Sequence, residues 1–360
     1  MEPASIFLIV IALTLAATSV VLWLCLLLYR LLDNHLHKRR EQVRDWWLSL
    51  LLSALEDRQN LASLPRLRGR LETEAVLGLL RDLAERFRGQ YRDNLDAVLH
   101  HIGAEDYGLW LVNRSSGSSR MRGCALLAWM APSARVDEKL ATLLRDLRTG
   151  VRLEAAHALA ARRTPAISLE TIITSLRSTG ALHSGRARDI VRLMAPGRGG
   201  ALGWLLETAV DPREKALLLD GLAVAGDYAH ASQAALFLSD GSSKVRAAAV
   251  STLEELADPT HIEAVAMLAR DPDPDVRVCV ARYAKTMRGD LNAIAVLETL
   301  SMDRNFAVRR VAVHALAAWR GRSWDQLAFL ARQDPLLASL MKEAAQNAPL
   351  PAAANLIHAP

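Results

Sequence analysis

Between Asp240 and Asp334 the apolar and polar positions follow one pattern three times over. Val245-Arg246, Val276-Arg277 and Val308-Arg309 each open a short apolar helix, and the pair recurs at a nearly constant interval. Each unit has an Asp five residues ahead of its Val (Asp240, Asp271, Asp303), a helix with small or aliphatic residues at helical spacing, a turn of Gly, Pro and Asp, and a second helix. Three residues past the Val stand Ala248, Cys279 and Val311, and eight past it Leu253, Ala284 and Leu316. Such helices cannot bury an apolar face alone and must stack on their neighbours, so the pattern predicts a solenoid. Weaker marks extend it upstream through Arg122, Arg152, Arg188 and Lys215. The spacing is uneven around Arg188, with a long step from Arg152 and a short one to Lys215. An insertion near Thr179–Gly185, or a shifted register, would account for the uneven pair.

The first part of the chain has a different pattern. Residues 6–28 (Ile6 to Leu28) are apolar or small and carry no charge. At about 1.5 Å per residue such a helix spans roughly 35 Å, enough to cross a hydrocarbon core, so the run reads as a transmembrane helix. Glu2 and the lack of Lys or Arg ahead of it, together with its length, argue against a cleaved signal peptide. Arg30, Lys38, Arg39, Arg40 and Arg44 follow it, which by the positive-inside rule places the downstream part in the cytoplasm and the N-terminus outside. Val43, Trp46, Trp47, Leu50, Leu51, Ala54 and Leu55 then form an amphipathic helical stripe. Three readings of this stripe stay open: a cap on the first repeat, contact with a partner's membrane helix, or a seat in the headgroup layer. The last reading would make Arg30, Lys38, Arg39, Arg40, Arg44, Trp46 and Trp47 a membrane-interface set meeting anionic lipid.

Ser63-Leu64-Pro65 and Gly69 break the helix. Two helices without the signature, from Glu72 to Arg88 and from Tyr91 to Ile102, read as degenerate first units. Asn113 to Ser119 reads as a loop before a better helix with Cys124, Ala125 and Ala128 turned inward. Leu336 to Gln346 reads as a C-terminal cap, and the Pro- and Ala-rich tail holds one apolar pair, Leu356-Ile357. The expected organisation is thus an anchor at 1–32, a basic juxtamembrane helix at 33–62, a solenoid at 63–346 and a tail at 347–360.

The residues that carry the period also resemble a family. Asp, four residues, Val-Arg, then a helix, a turn and a second helix at about 31 residues is similar to the short bacterial HEAT repeat of the PBS-lyase-like type. The resemblance implies an all-α, right-handed α-solenoid of HEAT-like helix pairs, here preceded by a single transmembrane helix. It also implies a ladder of hydrogen bonds between adjacent repeats, onto which Asp146 and Arg152, Asp240 and Arg246, Asp271 and Arg277, and Asp303 and Arg309 map. Ala187-Arg188 lacks the Asp, and the helix at Glu214-Lys215 lacks both residues. Most proteins with such repeats bind other proteins, and the fold alone names no partner.

Charge and composition alter this little. The net charge of +5 and pI near 9.3 hint at an anionic partner, yet the repeat arginines are matched by aspartates at a fixed offset, so nucleic acid is not expected. Three scattered cysteines, Cys25, Cys124 and Cys279, make no disulfide framework and fit a reducing compartment. Gly197-Arg198-Gly199-Gly200 lacks the Lys-Ser/Thr of a phosphate-binding loop and reads as a turn. His157 and His314 share a register but lie several repeats apart; His35/His37 and His100-His101 have no partner at metal-site spacing. No His is followed by Glu, which removes the signature of the HEAT-type di-iron hydroxylases. No cofactor, metal or enzymatic activity is expected. The sequence therefore predicts a scaffold or adaptor in a bacterial inner membrane that binds a polytopic enzyme or transporter, for instance a glycosyltransferase of envelope polysaccharide. The alternatives are a sensor taking a small anionic or nucleotide ligand on solenoid arginines, and, more remotely, an enzyme without a visible motif.

Overall fold

The computed structural model describes the backbone of residues 3–56, 58–67, 70–84, 90–162, 167–319 and 322–347. Within these, the side chains of 3–17, 31–40, 58–60, 70–71, 81, 83–84, 90–93 and 322–323 are not described. Among the described residues all regular structure is helical. The chain divides by packing into two units, Met1–Val136 and Asp137–Pro360.

The first unit begins with α1, one helix of 54 residues from Pro3 to Glu56. It passes without interruption from the apolar run into the basic stretch and on to the amphipathic stripe. Its last turns pack on α2 (Arg70–Ala84) and α3 (Gln90–His101). Trp47, Leu51, Ala54 and Leu55 recur at helical spacing and are fully buried, alongside Val76, Leu80, Val98 and Leu99. Burial of side chains this size stabilises by about 1.5–3 kcal/mol each, more than enough to fix the end of α1 in the unit. Trp47 Nε1 donates to Glu72 Oε1 at 2.9 Å, and Asn94 Nδ2 donates to the orphan carbonyl of Leu55 at 2.8 Å. The stripe is therefore a packing face inside this unit. Trp47 does not sit among headgroups, because its ring is enclosed and its one donor is already bonded.

Farther up α1 the picture reverses. Val20, Leu22, Trp23, Leu26 and Leu28 all lie more than half exposed. Among the described residues no helix is long and apolar enough to cross a membrane; the side chains of Ile6 to Ala17, the first half of the apolar run, lie outside them. Arg30, Arg44 and Trp46 are exposed, and Lys38, Arg39 and Arg40 fall outside the described side chains. The tail from 348, with Leu356-Ile357, also lies outside the described residues.

α4 (Ala104–Val112) and α5 (Gly117–Leu127) form a tight hairpin. A Cβ on Gly108 would stand 2.7 Å from Leu127, and one on Gly123 would stand 2.7 Å from Val112 and 2.9 Å from the Gly108 carbonyl, so both positions require glycine for close approach. The expected loop from Asn113 to Ser119 is shorter, since α5 starts at Gly117. Arg120 closes the turn by donating to the carbonyls of Arg114 and Ser115.

In the second unit, α6 (Ala134–Leu143), which spans the division, is followed by α7 (Thr149–Ala161), α8 (Leu169–Arg177), α9 (Gly185–Met194) and α10 (Gly199–Thr208). Next come α11 (Pro212–Ala225), the short α12 (Ala231–Ala235), α13 (Ser243–Glu255), α14 (Ile262–Met267) and α15 (Pro274–Thr286). α16 (Leu291–Ser301), α17 (Phe306–Trp319), α18 (Arg322–Leu330) and α19 (Pro335–Asn347) complete it. Alternate helices pack in series, α7 on α9, α9 on α11, and so on to α19, while the helices between them lean on this stack. That is the layering of an α-solenoid. Val245, Ala249 and Leu253, then Val276, Val280 and Ala284, then Val308, Ala312 and Leu316 are the buried positions of three successive layers. The uneven repeat steps fall where a 3₁₀ turn, Ala181–His183, with Gly180 at φ 67°, adds length between α8 and α9. Gly197, at φ 72°, makes the turn before α10, and a Cβ on Gly199 would strike the His230 ring at 2.5 Å, so this glycine stretch serves chain reversal and close packing.

Candidate functional site

The charged residues of the repeats form a series of rungs, each reaching forward by one repeat. Arg246 donates through Nε and Nη2 to both carboxylate oxygens of Asp271, at 2.7 and 2.8 Å. Arg277 does the same to Asp303, at 2.6 and 2.9 Å. Arg309 reaches Asp334 with a single, longer contact of 3.5 Å. Within its own repeat each of the first two arginines grips only main chain: Arg246 Nη1 donates to the Asp240 carbonyl at 2.9 Å and Arg277 Nη1 to the Asp271 carbonyl at 2.6 Å. Each aspartate in turn accepts from the amide two residues on, at Ser242, Asp273, Asn305 and Leu336, which fixes the start of the following helix. Every rung thus joins one helix start to the next.

Two members of this series fall outside the Asp and Val-Arg signature, although the spacing marks both positions. Lys215 occupies the arginine position of its unit, and its Nζ lies 2.8 Å from Asp240 Oδ2. The unit at Glu214-Lys215 therefore has a cation in register. Its Glu214, buried beside it, receives the Arg177 guanidinium from the preceding helix pair at 2.5 Å. Asp334, one full repeat beyond Asp303, ends the series in the turn before α19. The spacing carried that signal, but the helix beyond lacks the Val-Arg pair. At the other end Arg152 bonds the Asp146 carbonyl and Ser178 Oγ, so a serine stands where later rungs have a carboxylate; Asp146 Oδ1 accepts from the Arg148 amide. Arg188 is exposed, and Ala209 holds the aspartate position of the next unit.

The electrostatics follow from this pairing. Hydrogen bonds to Asp271 and Asp303 raise the Arg246 and Arg277 guanidinium pKa values above their ordinary range. Burial by itself would push the Asp271 and Asp303 carboxyls up, but the guanidinium and amide hydrogen bonds outweigh it and hold both below the usual carboxylate range. The cations of these rungs are engaged inside the stack.

A second polar cluster staples three repeats around Asp258, which is wholly buried in the turn between α13 and α14. Tyr228 Oη donates to its Oδ1 at 2.5 Å, the Thr260 amide donates to the same oxygen, and the His261 ring bonds Oδ2. Tyr283 Oη donates to the Asp258 carbonyl at 2.5 Å. Burial acts to raise the Asp258 carboxyl, yet these donors bring it down to about 2. The preceding residue, Ala257, adopts φ 49°, a left-handed conformation that this cross-repeat network holds in place.

The histidines stay apart. His157 is half-buried, with its pKa lowered by burial and by the neighbouring Arg186, and His314 lies 3.3 Å from Glu343. Among the described residues no group of three or more His, Cys, Asp or Glu side chains could hold a metal ion. Cys124 is buried and Cys279 half-buried, with burial raising the Cys279 thiol. Apolar side chains also stand in the open beside exposed cations such as Arg188, Arg270 and Arg304. Leu236, Met267 and Leu330, each four residues ahead of a rung aspartate, are 73%, 79% and 44% exposed.

Residues 231–317 match the HEAT-repeat family, so this stretch of the chain carries HEAT repeats. No curated protein matches the chain. Among solved structures, two engineered proteins are similar at 18% and 17% identity; the matches cover 59% and 76% of this chain and 95% and 84% of theirs, with TM-scores of 0.31 and 0.37. Human deoxyhypusine hydroxylase in complex with glycerol is similar at 17% identity over 78% of this chain and 98% of its own, with a TM-score of 0.31. At these scores the structural likenesses carry no argument about function, and the family match over 231–317 is what places HEAT repeats in this protein.

Proposed function

We propose that the protein is a non-catalytic scaffold, tethered to a bacterial inner membrane by the first half of α1, whose right-handed HEAT solenoid faces the cytoplasm and holds a polytopic membrane protein. The observation that carries the binding role is the division of labour in the repeats. The rung cations are held by carboxylates within the stack, while Leu236, Met267 and Leu330, at one register ahead of three of the four rung aspartates, stand in solvent. A surface of that kind suits a protein partner better than a small anion. The ladder arginines are thereby removed from the ligand-sensor alternative, which would have to use the exposed ones, such as Arg188, Arg270 and Arg304.

The tether is supported by the described part of the apolar run, where α1 exposes its large side chains on every side before entering the packed unit. Apolar surface uncovered all round a helix is stable in hydrocarbon and costly in water. The basic residues after it support an N-terminus-out orientation. A tether of this sort raises the effective concentration of weak partners by restricting both to one surface.

Replacing residues 1–28 with an unrelated membrane helix of the same orientation should preserve cellular activity, and deleting them should abolish it while the truncated protein keeps its helical circular dichroism. A periplasmic reporter should be silent after Pro360 and active ahead of Ile6. Full activity without any membrane helix, or the reverse reporter pattern, would overturn the tethered scaffold.

A further inference from the structure

The first unit contains a groove of about 600 Å³ walled by α1, α2, α4 and α5. Its floor is apolar, with Leu111, Leu126 and the rings of Tyr107 and Trp129. Its rim is charged. Glu41, Glu74 and Asp82 face Arg44 and Arg122, which leaves one formal negative charge (three carboxylates, two guanidiniums) on a protein whose net charge is +5. Arg44 lies 3.4 Å from Asp82, and Arg122 2.9 Å from Glu74.

One wall has a feature that the packing of the unit does not explain. Gly78 sits in the middle of α2, where glycine costs about 1 kcal/mol relative to alanine. Gly108 and Gly123 are required by neighbours that a Cβ would strike, but nothing lies within 4 Å of the place a Gly78 Cβ would take. Its bare backbone borders the groove, an arrangement that lets the backbone of another helix come close.

The continuity of α1 sets the height of this groove. The apolar run ends at Leu28, and the same helix continues to Glu41 and Arg44 in the groove wall. At about 1.5 Å per helical residue that wall begins roughly 20–24 Å beyond the hydrocarbon edge. The headgroup layer occupies only about 5–8 Å on each side, so lipid does not reach the groove, whereas cytoplasmic loops of membrane proteins do. Such loops are rich in Lys and Arg.

We infer that this groove is the docking site for a basic amphipathic helix from a cytoplasmic segment of the membrane partner. The apolar face of the helix lies on Leu111, Leu126, Tyr107 and Trp129, its backbone passes close to Gly78, and its cations meet Glu41 beside the exposed Arg44–Asp82 and Arg122–Glu74 pairs. The inference rests on the tethered-scaffold reading and adds where the partner binds and what chemistry it presents.

The test uses the full chain in its own membranes with a benzophenone amino acid at Ala125, in the groove, or at Met267, in the second unit. Irradiation at position 125 should give an adduct whose peptide comes from a cytoplasmic segment of a membrane-spanning protein and carries net positive charge. Gly78→Trp, which meets open space, should fill the groove and lower that adduct by about tenfold or more, the loss expected for about 1.4 kcal/mol of binding. The thermal midpoint of the chain should not fall. Adducts with lipid, with a second copy of this chain, with an acidic segment or with a soluble protein would overturn the inference, as would an adduct unaffected by Gly78→Trp. Capture of a membrane protein from position 267 alone would overturn the groove and leave the tethered scaffold standing. Capture of no membrane protein from either position would overturn both.

Discussion

Arg277 is the most enclosed cation of the ladder, with 5% of its side chain exposed and its partner Asp303 at 9%. Removing one member of a buried, doubly bonded pair strands the other and typically costs about 3–5 kcal/mol. Arg277→Ala should therefore weaken the second unit by about that much, whereas Arg309→Ala, at the longer and more open contact with Asp334, should cost about 1 kcal/mol or less. Urea unfolding of the full chain in mild detergent, followed by hydrogen exchange in α15 and α17, measures both. The coupled partners are Arg246 with Asp271 and Arg277 with Asp303, each across a repeat boundary; a double-mutant cycle on Arg246 and Asp271 should show coupling of about 0.5–3 kcal/mol. The same carboxylates set the response to acid. Asp240, Asp258, Asp271 and Asp303 are all depressed in the folded state. Unfolded aspartate titrates near about 3.9, so their stabilisation is complete above that value and is lost as pH falls through the lower folded values. The melting temperature of the second unit should stay level from pH 7 to about 5 and drop between about pH 4 and 2. A drop confined to pH 6–7 would point to histidine instead.

At the level of helices, the glycines separate packing from open surface. Gly123→Ala places a Cβ against Val112 and the Gly108 carbonyl and should push α4 and α5 apart at a cost of about 1–3 kcal/mol. Gly78→Ala meets nothing and should stabilise α2 by up to about 1 kcal/mol, so thermal melts of the two variants should move in opposite directions. How far the elements could be read in advance depended on period. The units from Asp240 onward repeat their buried positions, Val245, Val276 and Val308, at a nearly constant interval, and helix boundaries followed from it. The stripe at Val43–Leu55 was visible as amphipathic, but a hydrophobic face looks the same whether lipid or protein covers it, and only the contacts of Trp47 and Leu55 distinguish the two. The direction of the ladder was hidden for a similar reason. Asp271 lies six residues before Arg277 in sequence, yet its carboxylate belongs to Arg246, 25 residues upstream. The Asp258 staple had no local signature at all, since Tyr228, Asp258 and Tyr283 come from different repeats.

For the second unit as a whole, the rungs from Lys215 to Asp334 are unbroken, whereas Ser178 and Ala209 interrupt the series upstream. Stability in a linear array is close to a sum of layers and interfaces, so α13 to α17 should exchange amide hydrogens more slowly than α8 to α10, which exchange mass spectrometry of the full chain resolves. The ladder also has a grammar. Every rung donates forward, from one layer to the carboxylate of the next, and Asp334 receives the last donation. Six residues after each earlier rung aspartate stands a cation, Arg246, Arg277 or Arg309, but six after Asp334 stands Leu340, buried at 2%. Among the described residues α19 accepts the last rung and donates no further one. Leu340 is the full stop of that grammar: the rung series ends there, as it pauses at Ser178 and Ala209, in a layer that packs through a buried apolar side chain.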